Sequence, residues 1–471
     1  MGVLGYGQEG KAVTAYLLKH KIKPVLFDQR PWESWSEIEK LKIEKLGLNF
    51  IFGAHAFKEL AGFDIAFRSP GIKLNNPDIN RWTEPSPQPS PKGRGRLVIT
   101  SQTRWFFEHC PAKIIGITGT KGKGTTSSLI YEILLAKSYK LNAKCYLTGN
   151  IGKTQPLEIL DNLGADDYVV YELSSFQLQD LEKSPHIAVV LMVTSEHLDY
   201  HTNQKDYVDA KSSITKFQTL DDFAIINADF ENSVLIGEQS KGKKLYFSRK
   251  KYVLGFDGRQ NQERGKIVAA FVENKEIFTG NFHLPVSQLH LRGEHNFDNV
   301  MAAILATRSA GADLESIKKA ALNFKGLEHR LEFVAKKSGV KFYNDSFSTT
   351  PETAIAAMQS FTEPLIIILG GSSKNSNFTE LGRAVNSRKN IKKIILIGQE
   401  AGRIKQSLGE DTNRIIEGAK NIEEIFKQIE SVAESGDVVV LSPACASFDM
   451  FKSYVDRGDQ FKQGVKNYSK C

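Results

Sequence analysis

The chain has 471 residues, enough for about two to four domains, and we expect about three. Its hydrophobic fraction of 41% and charged fraction of 25% exclude a mainly disordered chain, and 37 glycines are too few for collagen. The 62 lysines and arginines exceed the 54 aspartates and glutamates, giving a net charge of +8. Because the basic residues are scattered, apart from one patch at Lys92–Arg96, this excess favours a polyphosphate ligand or a solvated surface over nucleic acid.

The first residues and the cysteines bear on location. The N-terminus, MGVLGYGQEG, has neither the basic nor the apolar region of a signal peptide. Apolar runs such as Ile187–Val193 fall short of the roughly 18–20 residues of a membrane span. The cysteines have no metal-type spacing; they are Cys110, Cys145, Cys445 and Cys471. We therefore predict a cytoplasmic protein with no disulfide framework and no membrane span.

The N-terminal segment carries a glycine pattern. Gly5, Gly7 and Gly10 form GxGxxG, and Asp28 follows. This pattern is typical of a strand–turn–helix unit that binds a dinucleotide, so NAD binding is one interpretation of this segment alone. Only four residues precede Gly5, fewer than the roughly five of a usual strand, and we expect the natural chain to begin several residues earlier.

Short apolar runs alternate with helical patterns along the rest of the chain. Continuously apolar, β-branched runs are typical of parallel strands buried on both faces, so the sequence predicts an α/β protein. The predicted strands are Lys113–Thr118, Tyr168–Leu173, Ile187–Thr194, Phe223–Asn227, Leu365–Leu369, Ile394–Gly398 and Asp437–Leu441.

Two composition changes indicate domain boundaries. Glu84–Arg96 reads EPSPQPSPKGRGR, cannot bury apolar surface, and is predicted to be a linker or insertion. The second boundary lies near Phe324–Gly326, between a helical run (Asn299–Ala320) and a new strand pattern (Arg330–Tyr343). The predicted domains are residues 1–98, 99–325 and 326–471.

The central region carries a phosphate-binding pattern. Ile114–Thr126 reads IIGITGTKGKGTT, in which a strand runs into a glycine-rich turn and a helix follows. Gly116, Gly119 and Gly122 would let backbone N–H groups converge on phosphate oxygens, and Lys123 would bridge two phosphates. The usual pattern has glycine where this chain has Ile117. The hydroxyl residue that binds Mg²⁺ is replaced by Gly124, so Thr125 is the candidate. The loop alone predicts a nucleoside triphosphate enzyme.

Glu172 ends the predicted strand Tyr168–Leu173, where a carboxylate beside a phosphate loop is well placed to bind Mg²⁺. His197 lies in a loop and Lys211 in a helical run. By residue type alone, a loop histidine and a helix lysine are both most often solvated.

Several spaced motifs, in order along nearly the whole chain, resemble those of the Mur ligases. The phosphate loop is similar to that of Mur ligases and folylpolyglutamate synthases, which are ATP-dependent amide-forming ligases. The other motifs are TGNIG (Thr148–Gly152), YELSSFQLQ (Tyr171–Gln179), GEHNFDN (Gly293–Asn299), GLEHR (Gly326–Arg330), NDSFSTT (Asn344–Thr350), GGSSK (Gly370–Lys374) and LSPACASF (Leu441–Phe448). The resemblance implies a Rossmann-like N-terminal domain, a central P-loop ATPase domain and a Rossmann-like C-terminal domain.

The resemblance also implies roles around ATP. It implies catalytic roles for Lys123, Glu172, His197 and Lys211, with Lys211 carrying a carbamate that binds a second Mg²⁺. Glu196 and Met192 replace the family's usual Asp and Asn near His197. Metal ligands would be Thr125, Glu172, His197 and Lys211. ATP would be bound by Gly116, Thr118, Gly119, Thr120, Lys121, Gly122, Lys123, Gly124, Thr125, Thr126, Asn296 and Asn299, with Arg330 and Asp345 closing over it.

The substrates implied by the resemblance are UDP-N-acetylmuramoyl-L-alanine, D-glutamate and ATP, joined in peptidoglycan synthesis. The UDP-sugar would contact Gly7, Gln8, Gln29, Arg30, Ser69, Pro70, Gly71, Asn150 and Ser175, with Glu9 beside the pyrophosphate. D-glutamate would contact Thr349, Lys374, Ser447 and Phe448. The acceptor loops depart from the family: Phe347 replaces a lysine common in one branch, Thr350 an asparagine and Phe448 a leucine.

Three other functions are compatible with parts of the sequence. A ligase with another acceptor, or a folylpolyglutamate-type ligase, belongs to the same class, although the GxGxxG domain argues against the folate enzyme. A non-catalytic nucleotide- or nucleic-acid-binding protein would tolerate loss of Lys123, Glu172 and His197, yet all three are present. An NAD-dependent dehydrogenase has no support after Asp28. We expect a monomer with no nucleic-acid partner.

Overall fold

The structure is a computed structural model, and it describes residues 1–83, 97–141, 143–151, 154–194, 203–253, 266–409 and 412–469. The chain divides into two compact units. The first unit contains residues 1–284 and 298–320, and the second unit contains residues 285–297 and 321–471. The predicted linker at 84–96, including the basic patch at 92–96, lies outside the described residues.

A five-stranded parallel sheet begins the first unit, in the strand order β3-β2-β1-β4-β5. This order is that of a Rossmann-type half sheet. The short strand β1 pairs with both β2 and β4 and is buried throughout. The elements are β1 (Gly2–Leu4), α1 (Gln8–Lys19), β2 (Val25–Asp28), α2 (Glu37–Glu44), β3 (Phe50–Phe52), β4 (Ile65–Arg68), α3 (Pro77–Thr83) and β5 (Val98–Thr100).

A six-stranded parallel sheet follows, in the order β11-β10-β9-β6-β8-β7. Strands β6 and β8 are apolar and almost wholly buried, as expected for strands covered on both faces. The elements are α4 (Gln102–His109), β6 (Lys113–Thr118), α5 (Lys123–Leu141), β7 (Cys145–Gly149), α6 (Pro156–Ile159), β8 (Tyr168–Glu172), α7 (Ser175–Leu178), β9 (Ile187–Val190), α8 (Gln204–Lys216), β10 (Phe223–Asn227), α9 (Glu231–Glu238) and β11 (Lys243–Phe247).

One apolar core joins these two sheets within the first unit. Val13 and Leu17 of α1 belong to the same buried cluster as Phe106 of α4 and Tyr171 of β8.

After β11 come short strands and two helices. They are β12 (Tyr252–Val253), β13 (Lys266–Ile267), β14 (Phe271–Glu273), β15 (Glu276–Thr279), β16 (Phe282–Pro285), α10 (His295–Ser309) and α11 (Leu314–Asn323).

The second unit contains a six-stranded sheet in the order β17-β18-β22-β19-β20-β21, parallel except for the edge pair β17–β18. Helix α15 packs on it through Ile422, Ile425, Phe426 and Ile429, which recur at helical spacing. The elements are β17 (Glu332–Lys337), β18 (Val340–Asn344), α12 (Pro351–Gln359), β19 (Leu365–Gly370), α13 (Thr379–Asn386), β20 (Ile391–Ile397), α14 (Ala401–Leu408), β21 (Ile415–Ile416), α15 (Ile422–Val432), β22 (Val438–Leu441) and α16 (Tyr454–Asn467).

The α/β class with mostly parallel sheets is thus confirmed, but three predicted elements are wrong in extent. The strand predicted over Ile394–Gly398 runs from Ile391 to Ile397. The strand predicted over Ile187–Thr194 ends at Val190, and beyond it Val193 N–H donates to the Ser233 hydroxyl instead of to a neighbouring strand. The helical run predicted over 299–320 is two helices, separated at Gly311, whose φ of +81° ends α10.

In the part of the chain that the structure describes, no helix has the length and apolarity that a bilayer crossing requires. Cys110, Cys145 and Cys445 are buried free thiols. Cys471 lies outside the described residues.

Candidate active site

The phosphate loop occupies residues 119–122, between β6 and α5. Gly119 and Gly122 have φ values of +155° and +87°, which side chains rarely adopt. A Cβ at Gly122 would also overlap the Asn299 side-chain oxygen. The loop therefore packs closely against Asn299 and leads directly into the N-terminus of a 19-residue helix. The N-terminus of a helix attracts phosphate through its free N–H groups and its dipole.

Lys123 lies over this loop. Its Nζ donates to Gly119 O at 2.9 Å and to Thr120 O at 3.2 Å. Lys121 is exposed, while Gly124, Thr125 and Thr126 form the first turn of α5. The predicted nucleotide-binding residues from Thr118 to Thr126 are therefore contiguous around one turn, with a cation beside it.

Two further predicted residues are placed relative to this turn. The Thr126 hydroxyl donates to Asn299 Oδ1 at 3.2 Å, which brings Asn299 against the loop. Gly116 lies inside β6, where a Cβ would be 2.7 Å from the Pro185 ring. Its missing side chain is therefore explained by packing within the sheet.

Glu172 and Lys211 both approach the loop. Glu172 ends β8 level with Ile117 of β6 and is 8% exposed. Lys211 of α8 is 1% exposed, so the interpretation of a solvated helix lysine is wrong. Its Nζ donates to the Thr118 hydroxyl at 3.2 Å and to Gly119 O at 3.4 Å. A carboxylate and a buried amine thus flank the strand that leads into the loop.

His197 and Glu196 lie outside the described residues, so the histidine ligand stays a prediction. Among the described residues, no group of three or more His, Cys, Asp and Glu side chains is gathered as a metal site. The oxygen atoms of Glu172 and Thr125 suit Mg²⁺, which prefers oxygen ligands and usually retains water and phosphate oxygens. The described donor set therefore fits a magnesium ion bound mainly through a nucleotide.

The carboxyl ends of β1, β2 and β4 bring together the residues predicted to bind the UDP-sugar. Gly7 and Gln8, both exposed, begin α1, and Gln29 and Arg30 follow β2. Ser69, ahead of Pro70 and Gly71, donates from its hydroxyl to Gly5 O at 3.0 Å. These segments converge on one edge of the first sheet, the edge at which such sheets bind nucleotides.

Asp28 lies in this edge but is already engaged. Its carboxylate accepts from Tyr6 N–H at 2.8 Å and from Arg30 Nε and Nη2, each at 3.0 Å. Burial opposes ionisation of Asp28, but these donors outweigh it and hold its pKa below the usual value. The Arg30 guanidinium also lies 3.7 Å from the Trp35 ring centroid. Since a dinucleotide site uses this carboxylate to bind a ribose hydroxyl, the engaged Asp28 argues against NAD.

Asn150 and Ser175 lie at the carboxyl ends of β7 and β8. Asn150 N–H donates to Glu172 O at 3.2 Å, and Ser175, 2% exposed, begins the short helix α7. Gln177 of the same turn donates through Nε2 to Glu9 Oε1 at 2.9 Å. Burial raises the pKa of Glu9 to about 7. Sequence analysis missed this side-chain link between α1 and α7, because 168 residues separate its partners.

The second unit carries Arg330 and Asp345. Arg330 is exposed, whereas Asp345 is 8% exposed. Asp345 accepts from Leu331 N–H at 3.0 Å and from the Ser442 hydroxyl at 2.7 Å. Burial raises the pKa of Asp345 to about 7. Its carboxyl group therefore holds the backbone beside Arg330, and the predicted ATP contact of Asp345 stays a prediction.

The residues predicted to bind D-glutamate lie on neighbouring loops after β18, β19 and β22. Lys374 Nζ donates to the Thr349 hydroxyl at 3.3 Å. Ser447 is buried, while Phe448 is 75% exposed and its N–H donates to the Ser372 hydroxyl at 3.1 Å. Asn296, also in the second unit, donates to Arg292 O within its own turn. The structure thus brings the four residues predicted to bind D-glutamate into one loop cluster.

Arg457 supports this cluster and was missed by sequence analysis. It is 1% exposed, and its guanidinium donates to Ser346 Oγ and O at 3.0 and 2.9 Å. It also donates to Ala446 O and Cys445 O, each at 3.1 Å. Burial lowers the pKa of Arg457 to about 10. No local pattern marks this role, because the bonded residues are brought together only by the fold.

Family models match this chain in three consecutive segments. The Mur ligase MurD-like N-terminal domain matches residues 1–85, the Mur ligase middle domain 117–307, and the Mur ligase glutamate ligase domain 329–445. The chain belongs to the Mur ligase family.

Curated relatives within this family match almost the full length. The chain is 34% identical to a UDP-N-acetylmuramoylalanine--D-glutamate ligase of Clostridium perfringens, over 99% of this chain and 96% of the relative. It is 35% identical, with the same coverage of both chains, to the protein of that name from Acetivibrio thermocellus.

Solved structures share the fold at lower identity. MurC of Thermotoga maritima has a TM-score of 0.57 at 16% identity, over 99% of each chain. A MurF structure from Thermotoga maritima in complex with ADP has a TM-score of 0.57 at 16% identity, over 95% of this chain and 96% of that one. These likenesses show the Mur ligase fold alone.

Proposed function

We propose that this chain is an ATP-dependent ligase that joins D-glutamate to UDP-N-acetylmuramoyl-L-alanine in peptidoglycan synthesis. The observation that carries the proposal is the full-length identity of about one third to ligases named for this reaction. The phosphate loop with Lys123 above it, and the cluster of Thr349, Lys374, Ser447 and Phe448, support it from the residues.

The reaction needs a carboxylate to become an electrophile. The substrate carboxylate attacks the γ-phosphorus of ATP, ADP leaves, and an acyl phosphate forms. The amine of D-glutamate then attacks the acyl carbon, loses a proton, and inorganic phosphate leaves as the amide forms. Phosphoryl transfer of this kind depends on positioned cations and N–H donors. Lys123 and the 119–122 backbone supply these here.

ATP and Mg²⁺ fit the residues of the first unit. We propose that residues 118–126 bind the phosphates, that Asn296 and Asn299 lie on the adenine side, and that Arg330 donates to a phosphate. Glu172, Thr125 and His197 would hold one Mg²⁺, and the carbamate on Lys211 would bind a second. When bound, magnesium neutralises charge on the transferring phosphate. Glu172 supports this assignment because it ends the strand beside the loop.

The carbamate on Lys211 is a further part of the proposal. A buried ammonium is costly, and Lys211 lies 1% exposed beside the phosphate loop. Addition of CO₂ to its amine would replace a cation by an anion with oxygen donors. Intact mass measurement under bicarbonate tests this, with an added mass of CO₂ expected on the wild type. No added mass in bicarbonate, or full activity of Lys211→Ala, would contradict it.

The three domains keep their predicted bounds in this proposal: residues 1–98 for the UDP-sugar, 99–325 for ATP, and 326–471 for the amino acid. The convergent edge of the first sheet supports the first assignment, and the Thr349–Lys374 contact supports the third. We further propose a cytoplasmic monomer with no nucleic-acid partner.

The direct test is phosphate release from ATP in the presence of UDP-N-acetylmuramoyl-L-alanine, with D-glutamate, L-glutamate and other amino acids offered in turn. We expect release with D-glutamate and formation of the amide product by mass spectrometry. Release with a different amino acid would change the acceptor. No release with any amino acid would refute the ligase function.

A further inference from the structure

The backbone around Arg330 is held in an unusual conformation. His329 and Leu331, on either side of it, have φ values of +63° and +45°. Non-glycine residues adopt this region at a cost and keep it only where their surroundings enforce it. Here Glu332 Oε2 accepts from His329 N–H at 2.9 Å, and Asp345 accepts from Leu331 N–H. The loop therefore presents Arg330 from a fixed backbone.

The side chain of Arg330 rests on an aromatic ring. Its guanidinium carbon lies 3.9 Å from the centroid of Phe347. Phe347 is 39% exposed, so its ring is not a core group, and it lies in the loop after β18 that also carries Asp345 and Thr349. The position of this ring at the surface is explained by its contact with the cation.

Phe347 is itself fixed from two directions. Its N–H donates to His329 O at 2.9 Å, which ties its loop to the Arg330 loop. The Tyr454 ring meets it edge-on, with centroids 5.1 Å apart and planes at 88°. Tyr454 is anchored in turn, because its carbonyl accepts from the Ser346 hydroxyl at 2.7 Å. Ring, cation and backbone thus form one rigid group within the second unit.

We propose that Phe347 is a positioning residue that orients the Arg330 guanidinium toward a phosphate of ATP. The inference rests on the proposed function, in which Arg330 donates to that phosphate. Stacking engages the face of a guanidinium, whereas its N–H groups lie in the plane, so stacking and phosphate binding do not compete. Phe347 restricts the rotation of the Arg330 side chain before ATP binds. Less conformational entropy is then lost when the guanidinium is ordered on the phosphate.

The test is a double-mutant cycle with Phe347→Leu and Arg330→Met. Phe347→Leu keeps an apolar side chain but removes the ring, and we expect kcat/KM for ATP to fall about two- to fivefold. The KM for D-glutamate stays at the wild-type value, and Phe347→Tyr, which keeps the ring, restores kcat/KM. In the Arg330→Met background, Phe347→Leu has no further effect.

Phe333→Leu is the matched control, because Phe333 is 37% exposed and packs on Tyr343 of the same unit. It should leave kcat/KM for ATP unchanged. An equal loss from Phe347→Leu in both Arg330 backgrounds would overturn the proposal, as would a change confined to the KM for D-glutamate. A wild type that releases no phosphate would refute the ligase function instead. The same cycle is then measured as ATP affinity by calorimetry, where additive effects overturn the positioning role.

Discussion

Lys123 lies over the phosphate loop, and its Nζ donates to the loop carbonyls of Gly119 and Thr120. We expect Lys123→Ala to lower kcat/KM for ATP by about 10²–10³-fold, because a preorganised charge at the transferring phosphate is lost. The melting temperature should not change. Lys113→Ala is the control and should retain activity, because Lys113 begins β6 at the end of that strand away from the phosphate loop. Equal activity of the two variants would contradict this role of Lys123.

Glu9 makes a pH-dependent contribution to stability. Burial raises its pKa from 4.5 to about 7, so the folded protein holds a proton that the unfolded chain releases at lower pH. The resulting stabilisation is present below about pH 4.5 and is lost as the pH rises to 7. Arg68, Asp180, Gln177 and Tyr171 all face this carboxyl.

Glu9→Gln keeps the acceptor for Gln177 but cannot ionise. We expect its melting temperature to exceed that of the wild type at pH 8 by about 2–4 °C, and the difference to shrink toward pH 5. Thermal unfolding at several pH values measures this. A difference that is constant with pH would show that the Glu9 carboxyl does not titrate as its burial requires.

At the scale of elements, the phosphate loop depends on glycine. Gly122→Ala places a Cβ onto the Asn299 side chain at a φ of +87°. We expect a loss of about 2–4 kcal/mol in the free energy of unfolding, together with weaker ATP binding. Gly402→Ala is the control, because Gly402 lies in α14 with open space around it. Its effect should be neutral or stabilising, and an equal loss in both variants would contradict the argument.

Strands buried on both faces were predictable from the sequence, and β6 and β10 have the bounds that their apolar runs indicate. The extent of other elements was not, because it depends on contacts from elsewhere. Ser233 draws the backbone out of the strand pattern after Val190, and Gly311 divides what reads as one helix. Periodicity reports burial well, but it does not report where a distant hydroxyl takes over a hydrogen bond.

At the scale of the whole molecule, a buried ion pair in the first unit joins strand β4 to the turn that follows α7. Arg68 and Asp180 meet at 2.7 Å, with side chains 1% and 9% exposed. Removing one partner leaves a buried charge uncompensated, so we expect Arg68→Met to cost about 3–5 kcal/mol in the free energy of unfolding. The double variant Arg68→Met/Asp180→Leu should recover most of this loss.

Denaturant unfolding measures the effect, and Glu182→Ala is the control. Glu182 pairs with Arg104 at the surface, where its side chain is 67% exposed, so its loss should cost about 0–1 kcal/mol. A loss from Arg68→Met no larger than that of Glu182→Ala would show that the buried pair contributes nothing.

For the candidate site, too, only part of the arrangement could be predicted from the sequence. Motifs indicated the phosphate loop, Glu172 and the loops predicted to bind D-glutamate, because their residue types and strand ends are local features. They did not reveal that Lys211 is buried against Thr118, or that Arg457 bonds residues more than a hundred positions away. Such pairings are created by the order of strands in a sheet, which no single window of sequence contains.

The Arg457 guanidinium ties the loops of Ser346 and Ala446 to each other through four hydrogen bonds. Neither loop can shift its main chain without breaking bonds that a buried cation needs. A change in amino-acid preference would therefore proceed by exchanging outward groups such as Phe448 on an unchanged frame. Libraries that vary Phe448 while retaining Arg457 are a direct route to ligases with altered acceptors.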